Sequence, residues 1–309
     1  MSEQLFGRIE NIEQTEKILQ SIPMPYLGPV GQAICGTGEG KIQLLYKFVE
    51  AVTPNGQYPV REQAIGDCVS HGYAGGVDCL TAAEIAMGDD EQWAGEACSE
   101  YIYGVSRVLI GNGSLGRSDG SIGAWAAKGL AEYGCILKKK YGKIDLSTYN
   151  GSVAKQYGYS GPSKELIVFG KEHPIKTYSQ VRTVEECRDS IVNLYPVMIC
   201  SNQGFTSIRD KDGFARASGS WPHCMLVSAV DANSSRMGFL IQNSWGRNWI
   251  TGPKKLEQPD GSFWCDYDTM AKILRQNDSW SISNYQGYKR QDLSWETFLK
   301  AREKAKDYE

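Results

Sequence analysis

Three histidines and nine cysteines are the residues of this chain from which a base and a nucleophile could be drawn. His173 lies in a Lys-Glu-His-Pro loop and reads as a surface residue. His71 follows Cys68 by three positions on one predicted helix; it could approach the thiol, although it also fits a packed core histidine. His223 opens a strand just after Trp221-Pro222, and Asn243-Ser244-Trp245 ends the next strand. Adjacent antiparallel strands can set His223 and Asn243 side by side. The amide oxygen then accepts from one imidazole nitrogen and leaves the other facing a nucleophile. Cys68, at the first turn of a helix, suits that part, because the positive helix end and a nearby imidazolium both favour thiolate. Such a group attacks a carbonyl.

The elements that must position these residues are legible in outline. Val69, Tyr73, Gly76, Val77, Leu80, Ala83 and Met87 fall at helical spacing after Cys68, with Asp67 as the expected N-cap. Gly72, Gly75 and Gly76 would each weaken an isolated helix by about 1 kcal/mol, so this one must be a buried central helix that another element approaches closely. A second helix is expected from Ser121 as N-cap through Trp125, Ala126, Leu130 and Tyr133 to a stop at Gly134, after the loop GNGSLGRSDGS. Further on, a capping box Thr183…Glu186 opens a helix, and three strand-like runs follow, YPVMICS, HCMLVSAVD and GFLIQNSWG. The organisation is a helical lobe followed by a β-rich lobe. Residues 1–57 read as an N-terminal extension, an arm, a lid or a short pro-segment. It carries a brief helical pattern (Ile12, Ile18, Leu19) before Pro23 and a Gly-rich stretch from Gly28 to Gly40. Residues 286–309 read as a charged helix of mixed sign.

Composition narrows the function classes. A net charge of -3, with 22% charged and 41% hydrophobic residues over 309 positions, excludes a disordered, collagenous or nucleic-acid-coating chain. No apolar run spans a bilayer and the N-terminus lacks the pattern of a signal peptide, so a soluble, cytoplasmic protein with no membrane partner is expected. The odd cysteine count, without a C-x-x-C pair or zinc spacing, disfavours a disulfide framework and a metal site. Cys224, next to His223 on a strand, points to the opposite face and reads as core.

The blocks Gln63…Gly66-Asp67-Cys68, His223-Cys224-Met225-Leu226-Val227 and Asn243-Ser244-Trp245-Gly246-Arg247-Asn248-Trp249 together resemble the active-site blocks of the papain-like cysteine peptidases. The last is the most specific, expected by chance on the order of once in a hundred thousand such chains. The three stand in the family's order, about 155 and 20 residues apart. The resemblance covers roughly residues 58–265. It implies an α+β, two-lobed fold over residues 58–285, with a helical lobe (about 58–160) packed on a β-barrel-like lobe (about 161–285). It implies Cys68 as nucleophile, His223 as base and later acid, Asn243 as the residue orienting the imidazole, and Trp245 as a shield over the His–Asn bond. Gln63 and the Cys68 N–H would stabilise the oxyanion. Asp119-Gly120-Ser121 resembles the loop whose backbone binds extended substrate, although an ordinary turn fits it as well. The chemistry implied is hydrolysis of a polypeptide through a Cys68 thioester, without metal or organic cofactor.

The departures are specific. Gln63 stands one residue nearer the cysteine than the family's pattern has it, Val69 replaces a tryptophan, and the cysteine that forms a disulfide in that loop is missing, in keeping with a reducing compartment. Asp67 replaces a small neutral residue and would raise the Cys68 pKa unless it turned away to cap the helix. No long helical pro-peptide pattern occurs in residues 1–50, which argues against autoinhibition of the family's usual kind. The Gly-Asp-Cys-Val block looks closest to prokaryotic or phage members. Two other readings stay open. One is a catalytically silent structural or binding protein, such as a phage virion component, with assembly contacts through residues 1–57 or 286–309; a cleft filled by those residues would favour it. The other is an amidase, isopeptidase or transglutaminase using the same thiol.

Overall fold

The computed structural model describes residues 5–88 and 92–306, with side chains through 300. Residues 1–4 of the extension and 307–309 of the charged tail lie outside the described residues.

At the centre runs the helix Cys68–Met87, ended by Gly88 in the left-handed conformation (φ 85°). Most of its length is buried, and β-strands press on it where the glycines stand. A Cβ at Gly76 would lie 2.5 Å from Met198 Sδ, and one at Gly72 would lie 3.3 Å from Cys224 Sγ. The helix penalty of these glycines is therefore offset by an approach no larger residue permits.

The strands are β1 (Ile42–Leu44), β2 (Lys140–Tyr141), β3 (Ile144–Asp145), β4 (Thr177–Gln180), β5 (Val197–Arg209), β6 (Ala215–Asp231), β7 (Gly238–Gln242), β8 (Ser262–Asp266) and β9 (Ser279–Ser283). Seven of them form one antiparallel sheet in the order β4-β9-β5-β6-β7-β8, with β1 added to the far end of β6. The expected barrel-like closure is corrected here: β4 and β8 do not pair, and the sheet is open. Both edges are covered by loops instead. Gln180 N–H donates to the Pro25 carbonyl (2.8 Å), and Trp264 N–H to the Gly213 carbonyl (3.0 Å), so neither edge is left as an unpaired ladder.

The predicted helices form, with shifted ends. The Thr183/Glu186 capping box is present at Val184–Val192. The helix expected from Ser121 spans Gly123–Tyr133 and has Ile122 at its N-cap. Ser121 is diverted: its Oγ lies 2.9 Å from Ser106 Oγ, and its backbone joins residues 7–9. The N-terminal stretch forms the helix Ile12–Ser21 as read, but Ile42–Leu44 pairs with β6 and Phe48 and Val49 are buried, so this part is core. Among the described residues the charged tail is helical from Trp295 to Lys306, and Phe298 packs on Phe48. Among the described residues no helix is long and apolar enough to cross a membrane.

Candidate active site

Cys68 is fully buried at the first turn of the central helix. Asp67 occupies the N-cap position, but its side chain does not cap, contrary to expectation. It accepts instead from Tyr149 Oη (3.0 Å) and lies 3.4 Å from His71 Nε2. The Tyr149 hydroxyl also accepts from Ala64 N–H (3.1 Å), so one phenol ties the loop before the nucleophile to Asp67. His71 belongs to this group behind the thiol. His173 is exposed and remote from it.

Across the cleft, β6 carries His223 and the turn after β7 carries Asn243. The imidazole Nε2 and Asn243 Oδ1 are 2.7 Å apart, while His223 Nδ1 has no protein partner. Donation from Nε2–H leaves a lone pair on Nδ1. The Trp245 ring lies over the imidazole, centroids 4.7 Å apart at 37°. Gln63 is held by Ser244, whose Oγ donates to Oε1 (2.6 Å) and whose carbonyl accepts Gln63 N–H (2.9 Å). Its Nε2 donates to the Ile65 (2.8 Å) and Leu5 (3.3 Å) carbonyls. The backbone N–H groups of Cys224, next to His223, and of Gly7 lie near the Cys68 thiol and favour its charged form. Cys68, His223, Asn243, Gln63 and Trp245 are therefore brought to one place.

The cleft is covered by the chain's own residues 5–9 in extended form. Gly7 and Arg8 N–H both donate to the Pro222 carbonyl (3.2 and 3.0 Å). Ser121 N–H donates to the Gly7 carbonyl and Ile9 N–H to the Ser121 carbonyl (2.8 Å each), a parallel bridge between Arg8 and Ser121. Trp245 Nε1 donates to the Leu5 carbonyl (3.0 Å). The Phe6 ring meets Trp221, His223 and Trp245. A Cβ at Gly7 would lie 2.0 Å from the Gly66 carbonyl oxygen, so only glycine passes here. Asp119-Gly120-Ser121 is thus the edge on which an extended chain lies: Asp119 accepts from Gly66 N–H (3.3 Å), and Ser121 supplies both main-chain groups.

No family model and no curated protein matches the chain. Among solved structures it is similar to xylellain, a cysteine protease from Xylella fastidiosa, at 17% identity and a TM-score of 0.56, over 92% of this chain and 99% of that one. It is also similar to a procathepsin B from Trypanosoma congolense, at 9% identity and a TM-score of 0.51, over 89% of each chain. The fold is papain-like.

In this papain-like cleft the covered state is electrically quiet. Burial pushes the Cys68 thiol well up; the Cys224 N–H works against it, and Cys200 and Asp67 add to it. Burial pulls the His223 imidazole down to about 4, against the bond to Asn243 and with a small push from His71. Thiol and imidazole are thus both neutral beneath residues 5–9. The sign of the pH dependence follows. Hydration on opening returns His223 toward 6.5, so between pH 6.5 and about 4 the open form binds more protons and acid favours opening. Amide exchange at residues 6–9, corrected for its intrinsic rate, is expected to quicken by a factor approaching ten per pH unit over that window. In His223→Gln that acceleration should be lost; the same acceleration there would assign it to another group.

Three residues that hold the papain-like site escaped the sequence reading. Arg107 donates to the carbonyls of Gly116, Ser118, Gly120 and Gly158, fixing the loop that ends in Asp119-Gly120-Ser121. That glycine-rich loop has many main-chain acceptors and few partners of its own, which is the one signal that asks for a buried donor. Arg8 and Asp278 stand 270 residues apart in sequence and meet beside the cleft; nothing in their local sequence announces it.

Proposed function

We propose that the protein is a cysteine peptidase that hydrolyses extended polypeptides through a thioester on Cys68, and that residues 5–9 cover its cleft until displaced. The observation that carries this reading is the His223–Asn243 pair with its unpartnered Nδ1, on the strand whose next residue, Cys224, lies near Cys68. A buried nitrogen without a protein partner costs about 1–3 kcal/mol, and its lone pair is free to take a proton. Nδ1 takes the Cys68 proton, and the thiolate adds to the substrate carbonyl. The Cys68 N–H, one of the helix's first donors, and the Gln63 amide hold the oxyanion. His223 then protonates the leaving amine, activates water against the thioester, and the acid leaves with Cys68 restored. Asn243 keeps the ring in place, and Trp245 keeps water from their bond. An extended main chain fits the cleft, which favours a polypeptide over a small amide.

One observation favours the silent scaffold, namely that the cleft is filled by residues 5–9. The two readings separate by active-site labelling. An epoxide inhibitor of papain-like enzymes, followed by intact mass at neutral pH, is expected to add once to the wild type and not to Cys68→Ala. A folded protein whose Cys68 takes a generic alkylating reagent but never the epoxide would make the scaffold the better reading.

A further inference from the structure

Two cysteines that the proposed chemistry does not use face one another beneath the cleft. Cys200 on β5 is the register partner of Cys224 on β6, and Cys200 Sγ donates to Cys224 Sγ at 2.7 Å. Both are free thiols and both are buried. The backbone explains how close they come. Cys200 N–H donates to the Asp278 carbonyl (3.2 Å), on the side of β9, and the Cys224 N–H lies near Cys68. With their main-chain groups directed away from each other, the two residues form a non-hydrogen-bonded antiparallel pair. In such a pair the Cα atoms approach to about 4.5 Å and the side chains are closest, which is within the span a disulfide bridges. A covalent S–S bond of about 2.05 Å asks the sulfurs to approach by only about 0.7 Å more, a small turn of two side chains with both strands left in place.

The ladder gives such a bond a task. β5 and β6 pair residue for residue from Val197–Val227 to Ser201–His223, and beyond that the register shifts three times before Arg209. Cys200–Cys224 therefore stands where the regular ladder ends, next to the pair that holds His223. Two helices approach the sulfurs through glycines: a Cβ at Gly72 would lie 3.3 Å from Cys224 Sγ, and one at Gly123 would lie 2.8 Å from Cys200 Sγ. The pair is also within electrostatic reach of the cover. Burial raises both thiols and Asp278 adds to each, while Arg8 opposes. The hydrogen bond between the two acts in opposite senses, holding Cys200 protonated and favouring thiolate at Cys224.

We infer that Cys200 and Cys224 are a reversible dithiol–disulfide site, oxidised by a low-molecular-weight disulfide such as oxidised glutathione when residues 5–9 lift, and that the bond staples β5 to β6 beside His223. The Cys224 thiolate attacks one sulfur of the glutathione disulfide, and one glutathione leaves as thiolate and takes up a proton. Cys200 then gives its proton to solvent and attacks the Cys224 sulfur of the mixed disulfide, and the second glutathione leaves. Two protein thiols lose two electrons and two protons, and one glutathione disulfide gains them as two thiols. Cys68 takes no part, so the inference stands apart from the peptidase reading.

The experiment uses full-length Cys68→Ala protein in buffers of oxidised and reduced glutathione, with alkylation of the remaining thiols after unfolding. Intact mass should show the loss of two hydrogens, and a proteolytic map should join the peptides of Cys200 and Cys224. The temperature of unfolding should rise by roughly 5 °C, because the bond closes a loop spanning 24 positions, and a reductant should reverse both changes. Adding Cys200→Ala or Cys224→Ala should abolish the linkage and the shift. Adding Arg8→Ala should speed the linkage at least tenfold. A folded Arg8→Ala,Cys68→Ala protein whose Cys200 and Cys224 stay reduced while the exposed Cys35 takes up glutathione overturns the inference. So does a bond that joins either residue to a different cysteine. Linkage with an unchanged temperature of unfolding overturns the staple, and an equal rate with and without Arg8 overturns the control by residues 5–9. Should an alanine variant at 200 or 224 fail to fold, the proteolytic map of the parent protein decides alone.

Discussion

His223→Ala is expected to lower kcat/KM for peptide hydrolysis on the order of a thousandfold, with little change in the temperature of unfolding. The size follows from what is removed. Proton transfer by a positioned group contributes roughly 10²–10⁴ in rate, and here one imidazole acts in both acylation and deacylation. The fold should tolerate the change, because the ring is buried with one nitrogen unpartnered and a low affinity for protons, and truncation relieves both costs. Asn243→Ala removes only the acceptor at 2.7 Å and should cost less, on the order of tenfold to a hundredfold, with the acid limb of the pH–rate profile moved. Stopped assays with active-site titration separate lost turnover from lost protein. A His223→Ala enzyme within tenfold of wild type would place the base elsewhere, with His71, beside Asp67, the next group to examine.

What the sequence discloses about this site depends on how local each cause is. Cys68, His223 and Asn243 could be singled out because each was expected in a particular neighbourhood, a helix start, a strand start and a strand end followed by tryptophan. β6 in fact begins at Ala215, so His223 lies within the strand and not at its start. The three central-helix glycines predicted a close neighbour because a helix otherwise loses stability by keeping them. The neighbour's identity, Met198 and Cys224 on β5 and β6, is a matter of tertiary packing and has no local trace. The helix caps show the same divide. Thr183 and Glu186 satisfy one another within one turn, and their box is present. Asp67 and Ser121 were equally good caps by type, yet distant partners, Tyr149 and the Gly7–Ile9 stretch, claimed them. Barrel closure was expected from resemblance alone, and the loops at Pro25 and Gly213 that cover the open edges carry no strand pattern. An arm, lid or pro-segment was expected somewhere in residues 1–57, but the stretch that covers the cleft was not legible, for a related reason. An extended run of five residues has no period to detect, and its fit depends on Gly7 meeting Gly66 across the cleft.

Arg8→Ala is expected to raise the rate at which a small alkylating reagent reaches Cys68 on the order of a hundredfold at pH 7.5, measured by intact mass against time. In the wild type, Arg8 joins the cover to Asp278 through groups 1% and 4% exposed, where solvent screens little. Removing the guanidinium leaves Asp278 either charged and uncompensated or protonated above its preferred range, and both penalise the covered state relative to a hydrated, open one. Since about 1.4 kcal/mol is a factor of ten, a loss of some 3 kcal/mol from the covered state gives the stated increase. The sign of the pH dependence supplies a control. As pH falls through about 6, Asp278 takes up a proton even with Arg8 present, so the ion pair weakens in the wild type as well. The ratio of variant to wild-type rates should therefore shrink between pH 7.5 and 5. Phe6→Ala, which removes ring contacts with Trp221, His223 and Trp245 but no charge, should also raise the rate. If Arg8→Ala left Cys68 as protected as in the wild type, main-chain bonds to Pro222 and Ser121 would be sufficient to hold the cover, and its release would have to come from cutting the segment rather than loosening it.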